Sequence, residues 1–107
     1  MSKSVVIWLD DERKVPKNIL SLGMDVLVVK DYESCIWQLQ LSEVLGHKIY
    51  MCFDHDLGRG KNGYDVAKWI VENQYPLEGF EIHSMNPVGR RNISQLLTHY
   101  GYKKIGK

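Results

Sequence analysis

The sequence predicts an α/β domain: a doubly wound, mostly parallel sheet of about four or five strands with helices on both faces. Short apolar runs recur along the chain, as Val5-Val6-Ile7-Trp8-Leu9, Asp25-Val26-Leu27-Val28-Val29, Ile49-Tyr50-Met51-Cys52-Phe53 and Phe80-Glu81-Ile82. Between them lie stretches with apolar residues at helical spacing, which gives the pattern βαβαβαβα. The first run is continuously apolar rather than alternating, as strands covered on both faces are.

Each element has a local reason. Val5–Leu9 stops abruptly at Asp10-Asp11, so two acids stand at the carboxyl end of a buried strand. Pro16 can open a short helix at about 16–22, with Gly23 as its stop. Asp25–Val29 is β-branched and apolar, as strands prefer. Asp31 can cap a helix of about 32–45 that turns Tyr32, Ile36, Leu39 and Leu45 inward and ends at Gly46. The Ile49–Phe53 run again ends in acids, Asp54-His55-Asp56. Gly58, Gly60 and Gly63 follow and allow close approach of backbone to a ligand, but no Gly-Lys-Ser/Thr follows to make a Walker A loop. A helix of about 64–74 carries Val66, Ala67, Ile70 and Val71 at helical spacing, and Pro76 lies past its end. After Phe80–Ile82, Asn86 suits an N-cap and Pro87 the first helical position. That last helix, of about 87–100, carries Ile93, Leu96, Leu97 and Tyr100 on one face, with Gly101 as its stop. A fifth strand at Lys103-Lys104-Ile105 would be very short.

At 107 residues the chain is one domain, residues 1–107, with room for a single core. A net charge of +1 gives no overall field favouring nucleic acid or membrane, so any nucleic-acid recognition would be local. No apolar run approaches a membrane span. The N-terminus leads directly into a strand without a signal peptide, so a cytoplasmic protein is expected. Cys35 and Cys52 fall in different elements without ligand-like spacing and read as reduced, core-facing thiols.

In an open α/β sheet, ligands bind outside the carboxyl ends of the strands. The ends of the first, third and fourth strands gather Asp10, Asp11, Asp54, His55, Asp56, His83, Ser84 and Asn86 in one crevice. Carboxylates at Asp10, Asp11, Asp54 and Asp56 suit a hard cation such as Mg²⁺. With the histidines they would also suit Mn²⁺, Fe²⁺ or Zn²⁺. Two histidines suit proton transfer near neutral pH, one as base and one as acid. The start of the last helix, with Ser84, Asn86 and Arg90, suits an anion. Arg59, Tyr64 and Trp69 could stack on a base, or serve as surface and core.

Asp-Asp after the first strand, Asp after the third and Ser after the fourth resemble the response-regulator receiver domain, a flavodoxin-like fold with strand order 2-1-3-4(-5). In receivers the acid pair binds Mg²⁺, the third-strand Asp accepts a phosphoryl group and the hydroxyl residue reads it. Asp10 and Asp11 match the acid pair and Ser84 the hydroxyl. The phosphoacceptor is open between Asp54, by its distance from the other motifs, and Asp56, by the following Leu57. The receivers' loop proline is replaced near Gly60, and their lysine after strand five has no clear counterpart among Lys103, Lys104 and Lys107.

Leu9-Asp10-Asp11-Glu12-Arg13, Phe53-Asp54-His55-Asp56-Leu57-Gly58 and Ile82-His83-Ser84-Met85-Asn86-Pro87-Val88-Gly89, in that order, further resemble a receiver-like family described as cyclic-phosphate processing. This resemblance covers nearly the whole chain. It implies a phosphodiesterase-type hydrolase acting on a 2′,3′-cyclic nucleotide or RNA end. His55 and His83 would be the acid/base pair, with Asp54 beside them. Asp10, Asp11, Asp54 and Asp56 would hold Mg²⁺ or Mn²⁺, and Ser84, Asn86 and Arg90 the phosphate. The alternatives are a degenerate receiver that senses phosphate or docks a partner without turnover, and a nucleotide-sequestering protein.

Overall fold

The structure, a computed structural model, describes residues 3–105. Its sheet has four parallel strands in the order β2-β1-β3-β4: β1 Ser4–Leu9, β2 Asp25–Val29, β3 Lys48–Phe53 and β4 Gly79–Ile82. The helices are α1 Lys17–Leu20, α2 Tyr32–Val44, α3 Gly63–Glu72 and α4 Pro87–His99. The expected receiver-like α/β architecture is therefore present. The fifth strand is reduced to an isolated parallel bridge, Phe80 to Lys104, beside β4; Lys107 lies outside the described residues.

The layers are unequal. α2, α3 and α4 cover one face, where Leu39, Ile70, Ile93 and Leu97 close over Val5, Ile7, Leu9, Met51, Phe53 and Phe80. The other face, bearing Val6, Trp8 and Cys52, is covered chiefly by Ile19 of α1 with Val15 and Met24. The helix expected at about 16–22 is a four-residue turn because Ile19 alone among its residues is buried. No helix among the described residues is long and apolar enough to cross a membrane.

Two side chains expected to face inward do not. Leu45 is 57% and Tyr100 59% exposed, because both lie past the last helical turn, at the C-caps of α2 and α4. On α2 the fully buried positions are Cys35, Leu39 and Ser42, with Tyr32 and Ile36 packed alongside. The cysteines are free and buried in clusters on opposite faces of the sheet. Burial pushes the Cys52 thiol up to about 12, helped by the Glu81 charge, and pushes Cys35 higher still.

Asp31 caps α2 as its sequence suggests. Its carboxylate accepts the Ser34 N–H at 2.8 Å, while the Ser34 hydroxyl accepts the Asp31 N–H. Hydrogen bonding from the Ser34 side chain and backbone N–H to the carboxylate holds Asp31 below its ordinary 3.8. A lowered folded-state pKa means stability present above the unfolded value and lost as pH falls through the folded one. Asp31→Ala is therefore expected to cost about 1 kcal/mol near neutrality, with the gap from wild type closing in acid, as read by urea unfolding across pH.

Candidate active site

The carboxyl edge of the sheet is set by β1, β3 and β4. Pairing continues past the strands: Asp10 N–H donates to Val29 O, Asp54 N–H to Leu9 O and His83 N–H to Phe53 O, each at 2.9–3.0 Å. Asp10, Asp54 and His83 are thereby brought together on adjoining strand ends. One ligand atom from each lies within 4.8 Å of the others.

Asp10 is the centre of this group and is 1% exposed. Its Oδ1 accepts the backbone N–H groups of Glu12 and Arg13 at 2.8 and 2.9 Å, closing the turn after β1. Its Oδ2 faces His83 Nε2 at 3.0 Å. Burial raises the Asp10 carboxyl, but the Arg13 and Glu12 N–H groups and the facing His83 outweigh it, so the net shift is down. Asp54 lacks that support: burial and the neighbouring Asp10 charge push it up, only partly offset by His83. The two acids thus titrate apart, Asp10 held as the carboxylate and Asp54 drawn toward the acid.

His83 is fixed from three sides. Its ring stacks on Trp8 with centroids 3.9 Å apart and planes within 2°. Its carbonyl accepts Arg13 Nη1–H at 2.8 Å. Burial drives the imidazole pKa down against the pull of Asp10 and Asp54, so the neutral ring is favoured. A neutral ring facing a carboxylate is assigned its proton at Nε2, donated to Asp10; Nδ1 is buried without a partner among the described residues. Trp8 and Arg13 are the participants that sequence reasoning left without roles.

His55 has different partners from His83. Its Nδ1 faces Asp56 Oδ1 at 2.9 Å and Asn86 Nδ2 at 3.4 Å. Its ring lies against Gly89 of α4, where an added Cβ would collide with it. Asp56 is exposed and is held below the usual carboxylate range chiefly by its hydrogen bond to His55. Each imidazole therefore stands behind a carboxylate that lines one cleft of 340 Å³, whose walls include Asp10, Asp11, Asp54, Asp56, Gly58 and Met85. Gly58 has φ +79°, and its backbone passes beside Asp11: a Cβ there would lie 3.6 Å from Asp11 Oδ2.

The expected anion seat is largely occupied by the turn itself. Asn86 Oδ1 accepts the Gly89 N–H at 3.0 Å, and buried Ser84 Oγ accepts the Asn86 N–H at 3.0 Å. Pro87 has no N–H, and Arg90 N–H donates to Asn86 O. Val88 keeps the one first-turn N–H of α4 without a protein acceptor among the described residues. The Arg90 side chain is exposed and outside the cleft lining. Arg59 is exposed, whereas Trp69 stacks obliquely on Tyr75 with centroids 4.7 Å apart and Tyr64 packs on the core.

Asp10 and Asp54 offer carboxylate oxygens suited to a divalent cation, and His83 lies within the same spacing. A cation there would also relieve the crowding of the two acids. Asp11 and Asp56 line the same cleft outside that trio, Asp56 being turned to His55.

The fold and this arrangement of strand-end acids define a receiver-like domain. The family model for the cyclic-phosphate processing receiver domain matches residues 5–99, and the chain belongs to that family. No curated protein is similar enough in sequence to add a comparison.

Proposed function

We propose that the chain hydrolyses a cyclic phosphate, on a 2′,3′-cyclic nucleotide or RNA end, in the cleft of Asp10, Asp11, Asp54 and Asp56. The reading is carried by the pairing of two imidazoles with cleft-lining carboxylates: His83 with Asp10, and His55 with Asp56. Opening the ring adds water across a P–O bond. The water oxygen joins phosphorus, the bond to one ring oxygen breaks, and the proton lost by water is balanced by one gained at the leaving oxygen. Two imidazole–carboxylate pairs on separate strand ends supply a group for each transfer. Trp8 and Arg13 hold His83 in register for its part.

Mg²⁺ or Mn²⁺ held by Asp10 and Asp54, with His83 in reach, would supply charge stabilisation to the phosphate oxygens. A phosphate-sensing module without turnover is the second reading. The burial of Asp54 beside Asp10, the place a receiver's phosphoacceptor takes, favours it.

The test is hydrolysis of a nucleoside 2′,3′-cyclic phosphate, followed by ³¹P NMR, in Mg²⁺, in Mn²⁺ and in chelator, with Asp10→Asn alongside. Metal-dependent turnover that falls roughly hundredfold or more in the variant is expected. Binding without turnover of any cyclic phosphate would give the sensing module instead.

A further inference from the structure

The loop from Asp10 to Arg13 has a second cleft on its other side. It measures 340 Å³, shares all four loop residues with the first cleft, and is completed by Lys14, Val15, Val28 and Lys30. The loop is thus a common wall between two recesses. On one side stand the acids and their imidazoles. The shared wall brings Asp10, Asp11 and Glu12 to the second recess as well, where an apolar floor and a lysine from each of two separate segments, one following β1 and one following β2, face them.

We infer that this second cleft binds the nucleotide unit preceding a cyclic phosphate end, with Lys14 and Lys30 on the connecting phosphate, so that the substrate is an RNA strand rather than a free cyclic mononucleotide. The inference rests on the hydrolase reading for the first cleft and adds the substrate class. Lys14 and Lys30 are exposed, and among the described residues neither forms an ion pair. Arg13 lines both clefts, with its guanidinium donating to the His83 carbonyl.

The floor supports the same occupant. Val28 is 52% exposed although it lies in a strand, paired in register with Trp8. Val15 beside it is half-buried. A nucleotide offers what this surface matches: a flat apolar base for the valines and an anion for the lysines. β2 is the edge strand, so a chain leaving the cleft meets no further strand. A nucleoside 2′,3′-cyclic phosphate has a single phosphate, which the first cleft takes. The 5′-linked phosphate exists only on a longer strand.

The test compares a nucleoside 2′,3′-cyclic phosphate with a dinucleotide bearing the same cyclic end, in wild type and in Lys14→Gln/Lys30→Gln. The dinucleotide is expected to be favoured in kcat/KM by roughly tenfold, the worth of one or two contacts to a charged group. The double variant is expected to erase the preference. Mononucleotide turnover, which does not use this lobe, is the internal reference. Equal kcat/KM for both substrates in wild type would overturn the subsite while leaving the hydrolase reading intact.

If neither substrate is turned over, the hydrolase reading fails and binding decides the subsite. Fluorescence anisotropy then compares a labelled dinucleotide ending in 3′-phosphate with the labelled nucleoside 3′-phosphate. Tighter, salt-sensitive dinucleotide binding that falls in the double variant supports it; equal affinity overturns it.

Discussion

His83→Ala is expected to lower turnover of a 2′,3′-cyclic nucleotide by roughly 10²–10⁴-fold, the range for losing a positioned acid/base group, while the protein stays folded. The fold survives because the backbone at this position is held independently of the ring. His83 N–H donates to Phe53 O at 2.9 Å and its carbonyl accepts Arg13 Nη1–H at 2.8 Å. Asp10 keeps its two backbone N–H donors but loses the partner on Oδ2. His83→Gln separates the contributions: glutamine can offer Asp10 an N–H but cannot carry a proton. Equal loss in both variants marks proton transfer, whereas recovery in the glutamine variant marks positioning. Unchanged turnover in His83→Ala would remove this residue from the reaction.

Gly63→Ala is expected to be the most damaging small substitution to the fold, costing about 3 kcal/mol or more in urea unfolding. Gly63 opens α3, and its N–H donates to His55 O at 2.8 Å. That bond draws the helix start so close to the chain leaving β3 that a Cβ would overlap the Asp54 carbonyl. The obstacle is backbone, so no rotamer change relieves it. Relief would require moving Asp54, which couples the stability loss to the site. Gly60→Ala is the control. Gly60 has φ +86° with nothing within 4 Å of a built Cβ, so alanine there meets only the left-handed backbone penalty of roughly 1–2 kcal/mol. Equal costs at the two positions would show that the close packing at Gly63 is not limiting.

Much of this architecture was legible because it is written in local patterns. The β2 run at Asp25–Val29 matches the strand, and Asn86-Pro87 makes the cap and first residue of α4 as their chemistry predicts. The acids after β1 and β3 were visible as abrupt ends to apolar runs, and the sheet order places them side by side. What escaped depends on tertiary placement. The buried stripe of α2 includes Ser42, which counting large apolar residues passes over, whereas Cys35 faces the core as expected. The geometry favours Asp54 over Asp56 as neighbour of Asp10, a choice that spacing left open. Trp8 read as a core strand residue and Arg13 as part of a motif. Their tasks appear only when the turn after β4 folds over β1, joining Asp10 to a partner 73 positions away. At the start of α4, the sequence names the cap but not how many N–H groups the turn consumes.

The stacked Trp8–His83 pair gives the site an optical reporter. The protein has three tryptophans; Trp37 is solvent-exposed on α2 and Trp69 packs near Tyr75, so Trp8 alone lies face to face with a titratable ring. Imidazolium quenches indole emission far better than neutral imidazole does. Any event that alters the charge on His83 is therefore transduced into the intrinsic fluorescence of the unlabelled protein.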